Sequence, residues 1–252
     1  PRRVGAAGGA PGVPAAIVWV IDDSGSMIDE VERMRSNVDV FGGALLDANV
    51  DARVIFVSQS GFAPGAPIEF ARRYYEINDR VNSWDLLLKL LSNFRRYERY
   101  LRADAITHFV AVTDDDSRAL PWEDFHAEMS EMLGKPYTFH SVASERVPPT
   151  IENPTGACST PTSAASRPGH EYYALSDETG GIKLSICNED WSELFALLSE
   201  RIAVRIPIRC GYTLPLPPPS ALVYDERLFR LPSPPVLAPP PTPPIAHPPP
   251  PA

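Results

Sequence analysis

The sequence predicts a doubly wound α/β fold, in which a mostly parallel sheet carries helices on both faces as a three-layer sandwich. Short apolar runs rich in β-branched residues alternate with segments whose apolar residues recur at helical spacing, and this alternation is typical of the class. The chain has 252 residues, of which 44% are hydrophobic. That is enough for one large domain with tails, and two full-sized domains would be crowded.

The first predicted strand and helix enclose a polar turn. Residues 17–21 read IVWVI, a continuous apolar run of the kind found in buried parallel strands. The turn at residues 22–27 follows directly, and Gly25 gives it backbone freedom. A helix comes next, with apolar positions at helical spacing: Val31, Met34, Val38, Phe41 and Leu45.

The same patterns predict the remaining elements. Strands are expected at residues 52–57, 109–114, 137–142 and 182–186, and residues 68–81 form either a short strand or an irregular loop. His140, on the third of these strands, is expected to be a satisfied strand histidine rather than a metal ligand. Three further helices are expected to present the core faces Trp84, Leu87, Leu88, Leu91 and Phe94; Trp122, Phe125, Met129 and Met132; and Trp191, Leu194, Phe195, Leu198 and Ile202. The charged end of the first, at residues 97–102, is expected to be solvated.

The polar turn carries candidate metal ligands. Asp22, Ser24 and Ser26 alternate along it, so one carboxylate and two hydroxyls can face a common centre, and such hard oxygen ligands suit magnesium, manganese or calcium. A second buried strand ends at Asp114, and ligands of open α/β sheets bind at the carboxyl ends of the strands. Helix N-capping is the alternative and would explain Ser26 taken alone. Neighbouring aspartates are expected to be solvated or to cap: Asp23, Asp115 and Asp116.

The D-x-S-x-S turn followed by Met27 resembles the first segment of the metal-ion-dependent adhesion site of von Willebrand factor type A domains. The resemblance implies a hydroxyl from a second loop, usually threonine, for which Ser83 is the candidate here, and an aspartate at a later strand end, which is Asp114. It also implies that the metal, Mg²⁺ or else Mn²⁺ or Ca²⁺, binds a carboxylate of a protein or surface ligand. The implied ligand set is Asp22, Ser24, Ser26, Ser83 and Asp114.

The resemblance covers residues 15–212, the predicted domain. The runs IVWVIDDSGSM, FVAVTDDDS and ETGGIKLSICNEDW are similar to type A domains of secreted or lipid-anchored bacterial surface proteins. They imply an extracellular, cell-surface or periplasmic location, in an oxidising compartment. Residues 144–170 form a long loop, and a Cys158–Cys187 bond would close about thirty residues, although three cysteines allow three pairings.

The ends of the chain differ from the domain. Residues 1–14, rich in glycine, alanine and proline, are expected to be a flexible linker, and the proline-rich residues 213–252 an extended or disordered spacer. The net charge of −9 argues against a nucleic-acid partner. No apolar stretch is long enough to cross a bilayer, so any signal segment or lipid anchor is expected upstream.

The leading functional hypothesis is a divalent-cation-dependent binding module that performs no catalysis. One alternative is a structural domain with a vestigial metal site, which the serine in place of threonine keeps open. The other is a metal-dependent phosphohydrolase of the haloacid dehalogenase type. Those enzymes need a second aspartate where this chain has Ser24, so an enzyme is not expected.

Overall fold

The computed structural model describes residues 12–65, 73–161 and 163–203. Six strands form one sheet: β1 (Val13–Ile21), β2 (Val50–Ser58), β3 (Tyr74–Asn78), β4 (Ile106–Val112), β5 (Tyr137–Ala143) and β8 (Lys183–Ser185). The short strands β6 (Ser159–Thr160) and β7 (Ser163–Ala164) pair with each other. The helices are α1 (Ile28–Asp47), α2 (Leu86–Ser92), α3 (Phe94–Tyr97), α4 (Trp122–Leu133), α5 (His170–Thr179) and α6 (Trp191–Ala203).

The main sheet has the strand order β3-β2-β1-β4-β5-β8, and every neighbouring pair is parallel. Helices cover both of its faces, so the predicted doubly wound α/β fold is confirmed. Strand β1 lies in the middle, where Trp19 is in register with Phe56 of β2 and with Val110 of β4. The strand begins at Val13, so the last two residues of the predicted linker belong to the sheet.

One face of the sheet is covered by α1 and α6. Trp19 is the centre of this layer, stacked on Phe56 and meeting Phe41 and Phe195 edge-on. All five predicted core positions of α1 and all five of α6 are buried, as expected. Aromatic pairs in such geometries add stabilisation beyond the apolar area that they bury.

The opposite face is covered by α2, α3, α4 and α5, and here three predicted core residues are wrong: Trp84, Leu88 and Met132 are exposed. Trp84 and Leu88 are exposed because the helix begins later in the chain than predicted, and different positions therefore form its buried face. Helix α2 begins only at Leu86, so its buried positions are Leu86, Leu87, Leu90 and Leu91.

Tyr97 also departs from the prediction of a solvated helix end. It is fully buried, and its hydroxyl donates to the Leu90 carbonyl at 2.9 Å, which satisfies the polar end of an otherwise apolar side chain.

The edge strand β3 resolves the question left open for residues 68–81, since residues 74–78 pair in parallel with β2. Several predictions concern residues outside the described ranges. These are residues 1–11 of the predicted linker, residues 204–212 at the end of the predicted domain, which include Cys210, and the proline-rich residues 213–252. Among the helices that the structure describes, none combines the length and the apolar character needed to cross a membrane.

Candidate metal site

The predicted site lies at the carboxyl ends of the two central strands. Asp22 follows β1 directly, and its backbone N–H donates to the carbonyl of Val112, the last residue of β4, at 3.0 Å. Asp114 comes two residues beyond that strand end. The parallel pairing of β1 and β4 therefore delivers both carboxylates to the same edge of the sheet.

Asp22 is fully buried. Its Oδ1 accepts the backbone N–H of Ser24 at 2.8 Å, and its Oδ2 accepts the hydroxyl of Thr113 at 3.0 Å. Burial, with a smaller contribution from the charge of Asp114, raises the pKa of Asp22 to about 7, although the hydrogen bonds from Ser24 and Thr113 lower it. The ionised form of this carboxylate is therefore short of compensating positive charge.

Asp114 is 3% exposed, and its two carboxylate oxygens differ. Oδ2 accepts the hydroxyl of Ser166 at 3.1 Å. Oδ1 is buried and has no hydrogen-bond partner among the described residues. A buried carboxylate oxygen without a partner is costly, so its presence points to a group that binds there.

The hydroxyls of the first turn lie together at the surface. Ser24 Oγ and Ser26 Oγ are 3.0 Å apart, and Ser26 is exposed. Because the N–H of Ser24 is bound to Asp22, the turn holds these hydroxyls beside the first carboxylate. Three of the predicted ligands, Asp22, Ser24 and Ser26, are thus directly linked.

Ser83 reaches the site differently from the other candidates. Its carbonyl accepts the Thr113 hydroxyl at 3.1 Å, while its own hydroxyl donates to Asp115 Oδ2 at 3.4 Å. The second loop therefore lies against the strand ends as predicted, but the hydroxyl is directed to Asp115 and not to Asp22 or Asp114. Thr113, which sequence reasoning missed, connects Asp22 to this loop.

The neighbouring aspartates are expected to be solvated or to act as caps, and solvation is wrong for Asp23 and Asp115, which are buried. Asp23 is buried, and its Oδ2 accepts the N–H groups of Gln59 and Val81 at 2.9 and 2.8 Å. Asp115 is buried too. Asp116 is half-buried and acts as a cap, because its Oδ1 accepts the N–H of Glu171 in the first turn of α5.

The long loop that follows β5 also contacts the site. The predicted Cys158–Cys187 disulfide is present and closes a separation of 29 residues. Inside that span, the N–H of Ser166 donates to the Asp114 carbonyl at 2.7 Å, in addition to the contact between the two side chains. The hydroxyl of Ser163 donates to Glu30 of α1 at 2.7 Å. Ser166 lies in a run without periodicity, so no sequence signal distinguished it.

The candidate ligands of this site all offer oxygen atoms, and only the two aspartates among them carry charge. Within residues 12–65, 73–161 and 163–203, no group of three or more His, Cys, Asp or Glu side chains is placed to hold a metal ion. A cation at this edge would therefore depend on two carboxylates and neutral hydroxyls. Such a donor set suits a hard divalent ion, and Asp114 Oδ1, which has no hydrogen bond within the described part of the chain, could be one of its ligand atoms.

Comparisons with known proteins give little help with function. No protein-family model matches the chain, and no curated protein matches it. Among solved structures it is similar to proximal thread matrix protein 1 from the mussel byssus, at 12% identity and a TM-score of 0.37. That match covers 76% of this chain and 45% of the other, so this chain spans less than half of the mussel protein's chain. A likeness at this level supports no conclusion about function.

Proposed function

We propose that the chain is a divalent-cation-dependent binding module, in which a metal ion at the sheet edge joins the protein to a carboxylate of a partner. The observation that carries this proposal is the buried Asp114 Oδ1, which has no hydrogen-bond partner among the described residues and stands next to a second buried carboxylate, Asp22. Two such groups repel each other and are poorly solvated, and a bound dication removes both penalties.

Asp22, Ser24, Ser26 and Asp114 would hold the ion, and Ser83 would do so only through water or after its hydroxyl turns away from Asp115. Mg²⁺ fits best among the hard cations, because it is commonly bound through one or two carboxylates and keeps several waters. When bound, it supplies an electrophilic position for an incoming anion. Two carboxylates only balance its charge, and the hydroxyls are neutral, so an additional carboxylate remains favourable.

The chain's own residues orient these ligands. The hydroxyl of Thr113 and the N–H of Ser24 fix the two oxygens of Asp22, and Ser166 fixes one oxygen of Asp114. Losing such a contact behind a metal ligand typically weakens metal binding by about ten- to a hundredfold. The disulfide supports the same loop and is compatible with an oxidising compartment, and we propose an extracellular, cell-surface or periplasmic location for the module.

A structural domain with a vestigial site is the second candidate, favoured by the Ser83 hydroxyl that is directed to Asp115. On that interpretation the second loop no longer contributes a ligand, and the carboxylates are relics of a lost metal site. We propose no catalytic function, because Ser24 stands where a phosphohydrolase of the type considered needs its second aspartate.

Calorimetric titration separates the two candidates. The EDTA-treated full chain is titrated with MgCl₂ and MnCl₂ beside an Asp22→Ala/Asp114→Ala variant. The binding module predicts saturable one-to-one binding in the wild type alone. Equal heats for the wild type and the variant, with both chains folded by circular dichroism, would favour the vestigial site.

A further inference from the structure

Two arginines meet at a single carboxylate beside the metal site. Arg118 Nη2 lies 2.8 Å from Asp115 Oδ2, and Arg167 Nε lies 3.6 Å from Asp115 Oδ1. The Asp115 side chain is 7% exposed, whereas those of Arg118 and Arg167 are 49% and 56% exposed. The carboxylate is thus at the base of the contact, and the two guanidinium groups reach the solvent.

The two guanidinium groups outnumber the one carboxylate that they contact, in a chain that is acidic overall. Asp115 Oδ1 also accepts the backbone N–H of Asp116 at 2.8 Å. Asp116, next in the chain, is engaged by the N–H groups of Ser117 and Glu171, and Asp114 is one of the proposed metal ligands. Each guanidinium has five N–H donors, and each ion pair engages one nitrogen, so donors remain for an external anion.

Arg118 and Arg167 lie close to the proposed metal site, because the residues that they contact or follow belong to it. Asp115 follows Asp114 and accepts the hydroxyl of Ser83. Arg167 follows Ser166, and its N–H donates to the carbonyl of Asp114 at 3.2 Å. The positive charge therefore belongs to the rim of the proposed metal site and not to a separate patch.

Exposed apolar side chains follow two of the segments that build the site. Trp84 comes directly after Ser83 and is 41% exposed, and its carbonyl accepts the N–H of Arg118 at 3.0 Å. Ile28, 62% exposed, comes directly after the first turn. Exposed aromatic and aliphatic groups beside arginines are typical of surfaces that bind proteins.

We propose that the partner is an acidic protein segment with two neighbouring carboxylates, of which one completes the metal's coordination and the other pairs with Arg118 and Arg167. This inference rests on the proposed metal-dependent function and specifies its partner. The charge complementarity is local, since the chain as a whole carries −9 and repels extended polyanions. The apolar rim likewise favours a peptide over an anionic polysaccharide.

The test uses acetylated and amidated synthetic peptides of glycine, leucine and aspartate. Diacid peptides carry two aspartates separated by zero, one or two residues, and each has a matched peptide in which the second aspartate is asparagine. Binding to the ¹⁵N-labelled full chain is followed by NMR titration in saturating MgCl₂ and again in EDTA. The variants are Arg118→Gln, Arg167→Gln and the double variant. Arg95→Gln is the control, because Arg95 is an exposed arginine that pairs with Glu98.

We expect at least one diacid spacing to bind the wild type about fivefold more tightly than its matched peptide in Mg²⁺, which is the size expected for one charge-assisted contact. The double variant should lose this advantage while it binds the matched peptide as the wild type does. The control should retain it. Thermal melting of each variant verifies that the fold is intact.

Equal affinity for every diacid and its matched peptide, or an advantage that survives in the folded double variant, would overturn the inference. Heparin that binds without Mg²⁺ and competes with the diacid peptide would instead assign the arginines to sulfated polysaccharide. Failure of the proposed function is recognised separately, because the calorimetric titration would then show no Mg²⁺ binding. If Mg²⁺ binds normally and the second carboxylate adds nothing, only the partner assignment is wrong.

Discussion

Two pairs of buried ionisable residues lie on or directly after central strands of the sheet, and burial has opposite consequences for their charge. His108 of β4 and His140 of β5 stack with ring centroids 5.3 Å apart, and His108 Nδ1 lies 3.0 Å from His140 Nε2. Asp22 and Asp114 stand at the carboxyl ends of β1 and β4. Burial lowers the pKa of His108 to about 4, whereas it raises the pKa of Asp22 to about 7.

The histidine pair can become neutral without assistance. His140 Nδ1 accepts the N–H of Ile182 at 3.2 Å, so the neutral ring carries its proton on Nε2 and donates it to His108 Nδ1. The expectation that His140 is a satisfied strand histidine is confirmed. Burial and the positive charge of Arg201 both favour the uncharged forms.

The aspartate pair behaves differently, because Asp22, with its pKa of about 7, is still partly ionised near neutral pH. A carboxylate loses its charge only by gaining a proton, and two adjacent buried carboxylates at pH 7 therefore require either a proton or a cation. The histidines tolerate this degree of burial, whereas buried aspartates are stabilised by a bound cation, as the proposed function requires. On that proposal the aspartates serve binding and not stability.

The largest expected effect comes from neutralising the aspartates. Asp22→Asn and Asp114→Asn should each weaken Mg²⁺ binding by more than about a hundredfold, beyond the usual loss from a group behind a ligand. In EDTA the same variants should melt no lower than the wild type, because each removes the repulsion between two buried charges. Calorimetry and thermal melting measure the two effects.

The matched control for this experiment is Asp124→Asn, an exposed residue in the first turn of α4. It should leave Mg²⁺ affinity at the wild-type value. If the asparagine variants bind Mg²⁺ normally, or if they lower the melting temperature in EDTA by several degrees, the aspartates serve stability and the contrast with the histidines fails.

Removing the disulfide should have the next largest effect. In the chain-entropy model, Cys158→Ser/Cys187→Ser lowers the free energy of unfolding by about 3 to 4 kcal/mol for this separation of 29 residues. Mg²⁺ affinity should fall as well, since the enclosed loop carries Ser166 to Asp114. Urea unfolding and calorimetry measure these changes.

His126 provides the internal control for that variant. Its NMR ring signals should stay at their wild-type positions, because His126 lies on α4 and contacts Tyr137 of β5, and both residues are outside the span that the disulfide encloses. Disturbed His126 signals together with unchanged Mg²⁺ binding would show that the bond stabilises the rest of the domain and not the site.

Acid should act on His108 and on Asp22 in opposite directions, because burial lowers the pKa of the first to about 4 and raises that of the second to about 7. Below pH 6.5 the unfolded His108 takes up a proton that the folded residue, with its pKa of about 4, does not, so stability is complete above pH 6.5 and is lost as the pH falls towards 4. The loss attributable to this residue is about 3 kcal/mol. It is measured by urea unfolding in EDTA between pH 7 and pH 4.5.

The variant that isolates this effect is His108→Leu/His140→Leu, whose free energy of unfolding relative to that of the wild type should increase as the pH falls from 6.5 towards 4.5. The aspartates titrate in both proteins, so their contribution cancels in the comparison. His126→Gln, at the half-exposed histidine that contacts Tyr137, should keep the wild-type slope. Parallel curves for the double variant and the wild type would contradict the assignment.

The sequence predicted the parts of this architecture that obey periodic rules. Apolar runs identified β1 and β4, and the alternation of Asp22, Ser24 and Ser26 identified the first turn, because those features depend only on neighbours in the chain. The phase of α2 was wrong, since helical spacing alone could not show that the helix begins at Leu86. Contacts between distant segments, such as His108 with His140, had no local signal.

Ser166 is the clearest case of such a contact, and it provides the smallest and most specific prediction. Its hydroxyl holds one oxygen of Asp114, leaving the other oxygen for a ligand. Ser166→Ala should therefore weaken Mg²⁺ binding by about tenfold, as losses of groups behind metal ligands usually do, while the histidine pair and the melting temperature change little. Ser130→Ala, at a half-exposed serine of α4, is the control and should bind as the wild type does. An unchanged affinity in Ser166→Ala would mean that the loop only covers Asp114, and the orientation of this carboxylate would then depend on the backbone alone.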